Sequence, residues 1–144
     1  MTEPKYTTSA TSWGGGRDGR VATDDSKIDL NLSVPAGLGG DDGPGSNPEQ
    51  LFASAWAACY HGALKAVGRI EGVDVKESAV TVTVNLGGEF LTGFNFEVTI
   101  AAQMPGIDDE TGHRLLEEAN KYCPYSRVTR GNAKVELLLV ADED

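Results

Sequence analysis

The run NPEQLFASAWAACYHGALK, from Asn47 to Lys65, constrains this chain more than any other segment. Asn47 is a favoured N-cap, Pro48 fits the first helical position, and Gln50 stands where a capping box needs a reciprocal acceptor. Beyond that start, Leu51, Ala55, Ala58, Cys59 and Gly62 fall on one stripe of a helix, and Phe52, Trp56 and Tyr60 fall on a second stripe beside it. Two adjacent apolar stripes are too wide for a helix lying on a surface. The pattern predicts a central, buried helix around which the rest of the chain must be arranged. The small alanines and the glycine would let another helix approach closely.

The rest of the sequence supplies strands and one more helix. Tyr6 to Trp13 and Arg20 to Thr23 read as strands flanking a glycine-rich turn, Gly14 to Gly19, because glycines adopt positive φ at little cost. Ile28, Leu30, Leu32 and Val34 alternate with polar residues, as in a half-buried strand. Pro35 to Ser46, rich in glycine, reads as a long loop. Val80, Val82, Val84 and Leu86, then Phe94, Phe96, Val98 and Ile100, alternate on either side of Gly87-Gly88, which predicts a hairpin turning at or near the glycines. Asp108 to Tyr122 reads as a helix with an acidic start and an apolar face of Leu115, Leu116, Ala119 and Tyr122, stopped by Pro124. Val135, Leu137 and Leu139 make a last strand. The fold class expected is α+β, in one domain over residues 1–144, with the acidic end 141–144 disordered.

Charge narrows the partners. The chain has 144 residues and a formal net charge of −10, with 40% hydrophobic and 7% aromatic residues. Nucleic acid and anionic membrane surfaces are gripped by clustered Lys and Arg, so neither is expected as a partner. No apolar stretch has the length of a spanning helix, and the first twenty residues lack a basic patch followed by an apolar core. A cytoplasmic location is expected. In a reducing compartment the two cysteines, Cys59 and Cys123, would not be a permanent staple.

Their surroundings differ. Cys59 lies inside the apolar helix and Cys123 at the end of the second helix, just before Pro124. A nucleophilic thiol held in a rigid element, with a second thiol at a more movable end, suits a two-step thiol chemistry. Cys59 is twelve residues past the cap, roughly 18 Å along the helix, out of reach of the helix N-terminus that often lowers a thiol pKa. Burial alone would raise that pKa. A reactive Cys59 therefore needs a cation from elsewhere, and Arg17, on the glycine-rich turn, is the best supplier. Glu49 is a candidate carboxylate for a bidentate grip on Arg17. Glu49 and Cys59 are ten residues apart on one helix, about 15 Å axially. If both serve one site, Glu49 must come from a second, antiparallel copy of the helix across a two-fold. Plainer readings stay open on the residues alone: an inert buried Cys59, an exposed turn arginine, a Glu49 favoured only by the helix dipole, and a Cys123 without a partner.

Other signals carry less. His61 and His113 lack the clustered spacing of a zinc site, and two isolated cysteines do not complete one, so no metal is expected. The GGGRDG turn lacks the Lys-Ser or Lys-Thr step of a phosphate-binding loop. Phe52 and Trp56 on the first helix, with Phe94 and Phe96 on a strand, are core candidates that could also line an apolar substrate pocket.

Four strings, GGRDGR at Gly15 to Arg20, NPEQLFA at Asn47 to Ala53, CPYS at Cys123 and TRGN at Thr129, occur in an order and spacing that resemble the organic hydroperoxide resistance branch of the osmotically inducible protein C family. The resemblance covers nearly the whole chain. It implies an α+β fold in which two chains intertwine as a homodimer, with antiparallel sheets wrapped around central helices. It implies a peroxidase that reduces organic hydroperoxides without a cofactor and is recycled by a dithiol, with lipoylated proteins as the electron source. Carried over position by position, Cys59 matches the peroxidatic cysteine, Cys123 the resolving cysteine, Arg17 the activating arginine and Glu49 its carboxylate partner. A redox-sensing or apolar-ligand-binding protein could use the same cysteine pair, and is the alternative.

Overall fold

A computed structural model of the chain describes residues 2–142. Contacts cluster into two compact units, one ending at Leu51 and the other beginning at Phe52.

The first unit is a small antiparallel sheet of β1 (Ala10–Trp13), β2 (Arg20–Thr23) and β3 (Asp29–Asn31), in that order. β1 is shorter than the expected Tyr6 to Trp13, and all four of its residues are exposed. Its Ser/Thr-rich sequence offers no apolar face that would extend the pairing. β3 is likewise trimmed: Leu32, just past it, still donates to the Gly19 carbonyl at 2.8 Å and also forms an isolated parallel bridge to Ser46, which ties down the glycine-rich loop. A single turn of 3-10 helix, Ala36–Leu38, interrupts that loop. Trp13 and Arg20 face each other across the hairpin. The Arg20 guanidinium lies over the Trp13 ring at 5.0 Å and grips Asp29 of β3 through two bonds of 2.7 and 2.8 Å. The glycine-rich turn thus has its two feet joined to each other and to the third strand. Gly19 closes the turn so tightly that a side chain there would strike the Trp13 carbonyl.

Helix α1 runs over Pro48–Glu71. Its capping box is formed: Asn47 Oδ1 accepts from the Gln50 backbone N–H at 2.8 Å, and Gln50 Oε1 accepts from the Asn47 N–H at 3.2 Å. The two stripes behave differently. Trp56, Tyr60, Leu64 and Val67 form the buried line, whereas Ala58 and Gly62 of the other stripe are exposed and Leu51, Ala55 and Cys59 only partly covered.

The second unit packs that buried line against a three-stranded sheet and further helices. β4 (Ala79–Glu89) and β5 (Gly93–Gln103) form the expected hairpin, with Val82 opposite Ile100 and Val84 opposite Val98. The glycines are not its turn. Gly87 and Gly88 stay in the ladder opposite Asn95 and Phe94, and the chain reverses over residues 90–92. Phe90 and Leu91 at that tip are exposed. β6 (Lys134–Val140) pairs with β5 in parallel, so this sheet is mixed, not antiparallel. A parallel neighbour needs a long crossover, and helices α2 (Asp109–Tyr122) and α3 (Pro124–Thr129) provide it.

α2 starts as expected, with the Asp108 carboxylate accepting from the Thr111 N–H at 3.0 Å. Leu115, Leu116 and Ala119 are buried, but Tyr122, expected on the same face, is exposed because it falls at the last turn beyond the packed line. Cys123 is extended, as a residue before proline tends to be, and so ends α2 and caps α3 at once. α3 was not anticipated. The core of this unit joins Trp56, Tyr60 and Leu64 of α1, Val98, Ile100 and Ala102 of β5, Leu115 and Leu116 of α2, and Cys123. The Tyr60 hydroxyl donates to the Leu116 carbonyl at 2.6 Å, fixing α1 to α2. At the chain's end, the Asp142 carboxylate accepts from the Gly106 N–H, and residues 143 and 144 lie outside the described residues. No helix among the described residues is long and apolar enough to cross a membrane.

Candidate active site

Two pairs of the expected residues come together, one in each unit. In the first unit Arg17 and Glu49 form a fork: Nη1 donates to Oε2 at 3.0 Å and Nη2 to Oε1 at 2.8 Å. The glycine-rich turn presents the arginine, and the capping box fixes the first turn of α1 that presents Glu49. The pair is lopsided in exposure, with the Arg17 side chain 50% and the Glu49 side chain 16% accessible. The Arg17 hydrogen bonds hold the Glu49 carboxyl below its ordinary pKa, against an opposing push from partial burial. The carboxylate is therefore ionised at neutral pH and keeps the guanidinium plane in one orientation.

In the second unit Cys59 meets Cys123. Neither is in a disulfide. Cys59 is partly exposed on α1, and Cys123 is wholly buried at the α2–α3 junction. Burial pushes the Cys59 thiol pKa up, and the neighbouring Cys123 thiol adds to that by charge and by hydrogen bonding. The Tyr125 backbone N–H acts the other way, bonding the sulfur and favouring its thiolate. Among the described residues, then, burial and the partner thiol push Cys59 one way and one amide donor pushes it the other.

The aromatic residues form a cluster beside the thiols. Phe52 stacks on Phe96 of β5 at 5.1 Å, meets Trp56 edge-on at 5.6 Å and meets Tyr125 of α3 edge-on at 6.3 Å. Phe52 and Phe96 are partly buried. Trp56 lies behind them with no exposed surface, and its Nε1–H donates to Ser126 Oγ at 3.2 Å. Phe94 is outside this cluster, on the exposed part of the hairpin. Tyr125 and Ser126 make contacts at this site that the sequence reading did not single out, since one tyrosine and one serine in a six-residue helix show no periodic signal.

The histidines stand apart from this chemistry. His61 Nε2 lies 3.0 Å from Ser78 Oγ, itself hydrogen-bonded to the Val75 carbonyl, and burial lowers the His61 pKa. His113 is exposed. Arg130 donates to the Asn120 carbonyl at 2.9 Å, which closes the end of α2.

Comparison with known proteins identifies the architecture. The family model of OsmC-like proteins matches residues 39–138. The chain belongs to the OsmC-like family, among its organic hydroperoxide resistance proteins. It is 42% identical over 135 residues to the organic hydroperoxide resistance protein of Xanthomonas axonopodis pv. citri, covering 93% of this chain and 94% of that one. A crystal structure of an organic hydroperoxide resistance protein from Legionella pneumophila superposes with a TM-score of 0.91 at 35% identity, covering 96% of this chain and all of that one. The corresponding protein of Bacillus subtilis gives 0.83 at 36% identity, covering 94% of this chain and 98% of its own. The match to these structures spans nearly the whole chain.

Proposed function

We propose that this chain is a thiol-dependent peroxidase that reduces organic hydroperoxides to alcohols. The observation that carries the reading is the Cys59–Cys123 contact, in which a partly exposed thiol meets a fully buried one. The relatives' names give the substrate class.

In the first step the Cys59 thiolate attacks the terminal oxygen of the hydroperoxide. The O–O bond breaks, the alkoxide takes up a proton and leaves as the alcohol, and Cys59 is left as a sulfenic acid. Cys123 then attacks that sulfur, water leaves, and the Cys59–Cys123 disulfide forms. A dithiol reductant, for which lipoyl groups are the family's suggestion, exchanges twice to restore both thiols and is itself oxidised to a disulfide. Because Cys123 is buried and Cys59 is not, the reductant's attack falls on the Cys59 sulfur.

Burial raises the Cys59 pKa, so catalysis near neutral pH needs a cation, and Arg17 held by Glu49 is that cation. Glu49 stands ten residues before Cys59 on α1, about 15 Å by helical rise, so the Arg17–Glu49 fork serves the Cys59 of a second copy in a homodimer. The uncovered small-residue stripe of α1, with Ala58 and Gly62 exposed, supports close helix approach there. Phe52 and Phe96, the partly exposed members of the aromatic cluster, receive the alkyl group, and the buried Trp56 backs them. The reaction takes place in the cytoplasm, where dithiol reductants keep the pair cycling. Stopped-flow mixing of the reduced protein with cumene hydroperoxide tests the reading: loss of two thiols per alcohol formed is expected, and no thiol loss would end it.

A further inference from the structure

The thiol pair has a parallel companion. On α1, Trp56 precedes Cys59 by three residues and lies on the same side of the helix. On the other side of the contact, Ser126 follows Cys123 by three residues on α3. Trp56 Nε1–H donates to Ser126 Oγ at 3.2 Å, with Trp56 0% and Ser126 4% exposed. Two ties therefore join the same two segments, one hydrogen bond and one thiol contact, a helical turn apart. α3 is only six residues long and is held to α2 through the extended Cys123. Its own bonds, Arg127 N–H to the Cys123 carbonyl at 3.0 Å and Thr129 Oγ to the Tyr125 carbonyl at 2.8 Å, are internal and do not fix it against α1. The Trp56–Ser126 bond ties α1 to α3 through two side chains, beside the Tyr125 N–H that bonds the Cys59 sulfur, and so helps set their separation.

We infer that Trp56 and Ser126 are positioning residues for the two-thiol chemistry, holding α3 so that Cys123 and the Tyr125 amide face the Cys59 sulfur. This rests on the two-cysteine reading of the site. The role differs from lining a substrate pocket, because Trp56 has no surface to offer a ligand. It also differs from core filling, because a phenyl ring would occupy most of the indole's space but make no bond to Ser126. A buried indole N–H and a buried hydroxyl are costly to leave unpaired, so removing either partner alone destabilises the fold, whereas removing both leaves no orphan. Positioning and packing therefore separate in a double variant.

The experiment compares the wild type, Trp56→Phe, Ser126→Ala and the double variant in two measurements. One is the thermal midpoint. The other is the first-order rate of Cys59–Cys123 closure, followed by mass after a rapid pulse of diamide. Diamide adds the Cys59 thiol across its N=N bond, and Cys123 then displaces the hydrazine. Displacement of a reacting group by about an ångström costs on the order of a hundredfold, so closure slower by about tenfold or more is expected in both single variants. The double variant should regain much of the lost thermal midpoint yet keep the slow closure. Closure that recovers together with the thermal midpoint, or Ser126→Ala closing at the wild-type rate, would overturn the inference. A parallel pulse with cumene hydroperoxide keeps the two readings apart. Loss of that arm alone, with the diamide arm intact, would count against the peroxidase reading and leave the positioning role standing.

Discussion

Cys59 and Cys123 meet with unequal access, the first partly open to solvent and the second sealed in the core. On the proposed two-cysteine reading, that asymmetry sets the order of reaction to be expected. A peroxide or a dithiol arriving from outside reaches Cys59, and Cys123 can engage only the sulfur already beside it. Cys59→Ser should abolish hydroperoxide turnover, because a hydroxyl is far less ionised than a thiol. Cys123→Ser should consume about one equivalent and stall with Cys59 as a sulfenic or more oxidised acid. Single-turnover kinetics with mass detection checks this, and equal steady turnover in both variants and wild type would rule out the two-cysteine cycle.

The Arg17–Glu49 fork should govern the Cys59 thiolate. Burial and Cys123 hold the Cys59 pKa above its ordinary value within the unit. An approaching guanidinium favours the charged form and lowers it. Arg17→Ala should move the pH midpoint of Cys59 alkylation by iodoacetamide upward, and Arg17→Lys should recover only part, since an ammonium cannot hold Glu49 through two parallel bonds. Glu49→Gln should move it less than Arg17→Ala. Identical midpoints in wild type and Arg17→Ala would remove Arg17 from the mechanism.

The same fork has a stability signature of known sign. Glu49 is held below its ordinary carboxyl pKa of 4.5, chiefly by the Arg17 hydrogen bonds. Its contribution is therefore fully present above about pH 4.5 and is lost as pH falls through the folded-state value. Solvent reaches the pair, so the contribution is small, about 0–1 kcal/mol. Urea unfolding of wild type and Glu49→Gln should differ by about that amount at neutral pH and converge in acid, and a difference that grows in acid would contradict the assignment.

The parts of this architecture that were legible in sequence are those with a local physical cause. α1 announced itself through Asn47, Pro48 and Gln50 and through the width of its apolar surface. The β4–β5 hairpin showed in its alternation. Its turn did not, because Gly87 and Gly88 suggested a reversal while the ladder accommodates them, Gly88 with φ of +104°. The direction of β6 was invisible, since Val135, Leu137 and Leu139 alternate in the same way in a parallel or an antiparallel pair. α3 was hidden by Pro124, which marks the end of α2 and the start of α3 with the same residue. The pairing of Arg17 with Glu49 could be argued from charge and geometry, but the Trp56–Ser126 bond could not, because nothing local links an indole in α1 to a serine in a six-residue helix.

The exposed stripe of α1 predicts association. Ala58 and Gly62 are exposed on α1, opposite its buried line of Trp56, Tyr60 and Leu64, and small residues allow a second helix to pack at short range. Sedimentation at micromolar concentration should give a homodimer. Ala58→Arg, which places a bulky charge on that stripe, should shift the protein toward monomer and reduce peroxide turnover together. A stable monomer in the wild type would sink both the dimer and the sharing of the Arg17–Glu49 fork between copies.

Substrate preference follows from what surrounds Cys59. Phe52, stacked on Phe96 and met edge-on by Trp56 and Tyr125, forms an aromatic wall next to the thiol pair. An alkyl group resting on such a wall gains about 0.8 kcal/mol for each methylene removed from water. Hydrogen peroxide has no apolar surface and gives up hydration to enter. Several buried methylenes therefore favour an organic hydroperoxide by orders of magnitude, less the cost of an imperfect fit. Phe52→Ala should lower the second-order rate with cumene or fatty-acid hydroperoxide far more than the rate with hydrogen peroxide, because it removes the wall and leaves both thiols in place. Phe94→Ala, on the exposed part of the hairpin and outside the aromatic cluster, should have a smaller effect. Stopped-flow comparison of the three peroxides on wild type and both variants decides the matter. Equal wild-type rates for organic and hydrogen peroxides would mean that the aromatic cluster is core and not a binding surface.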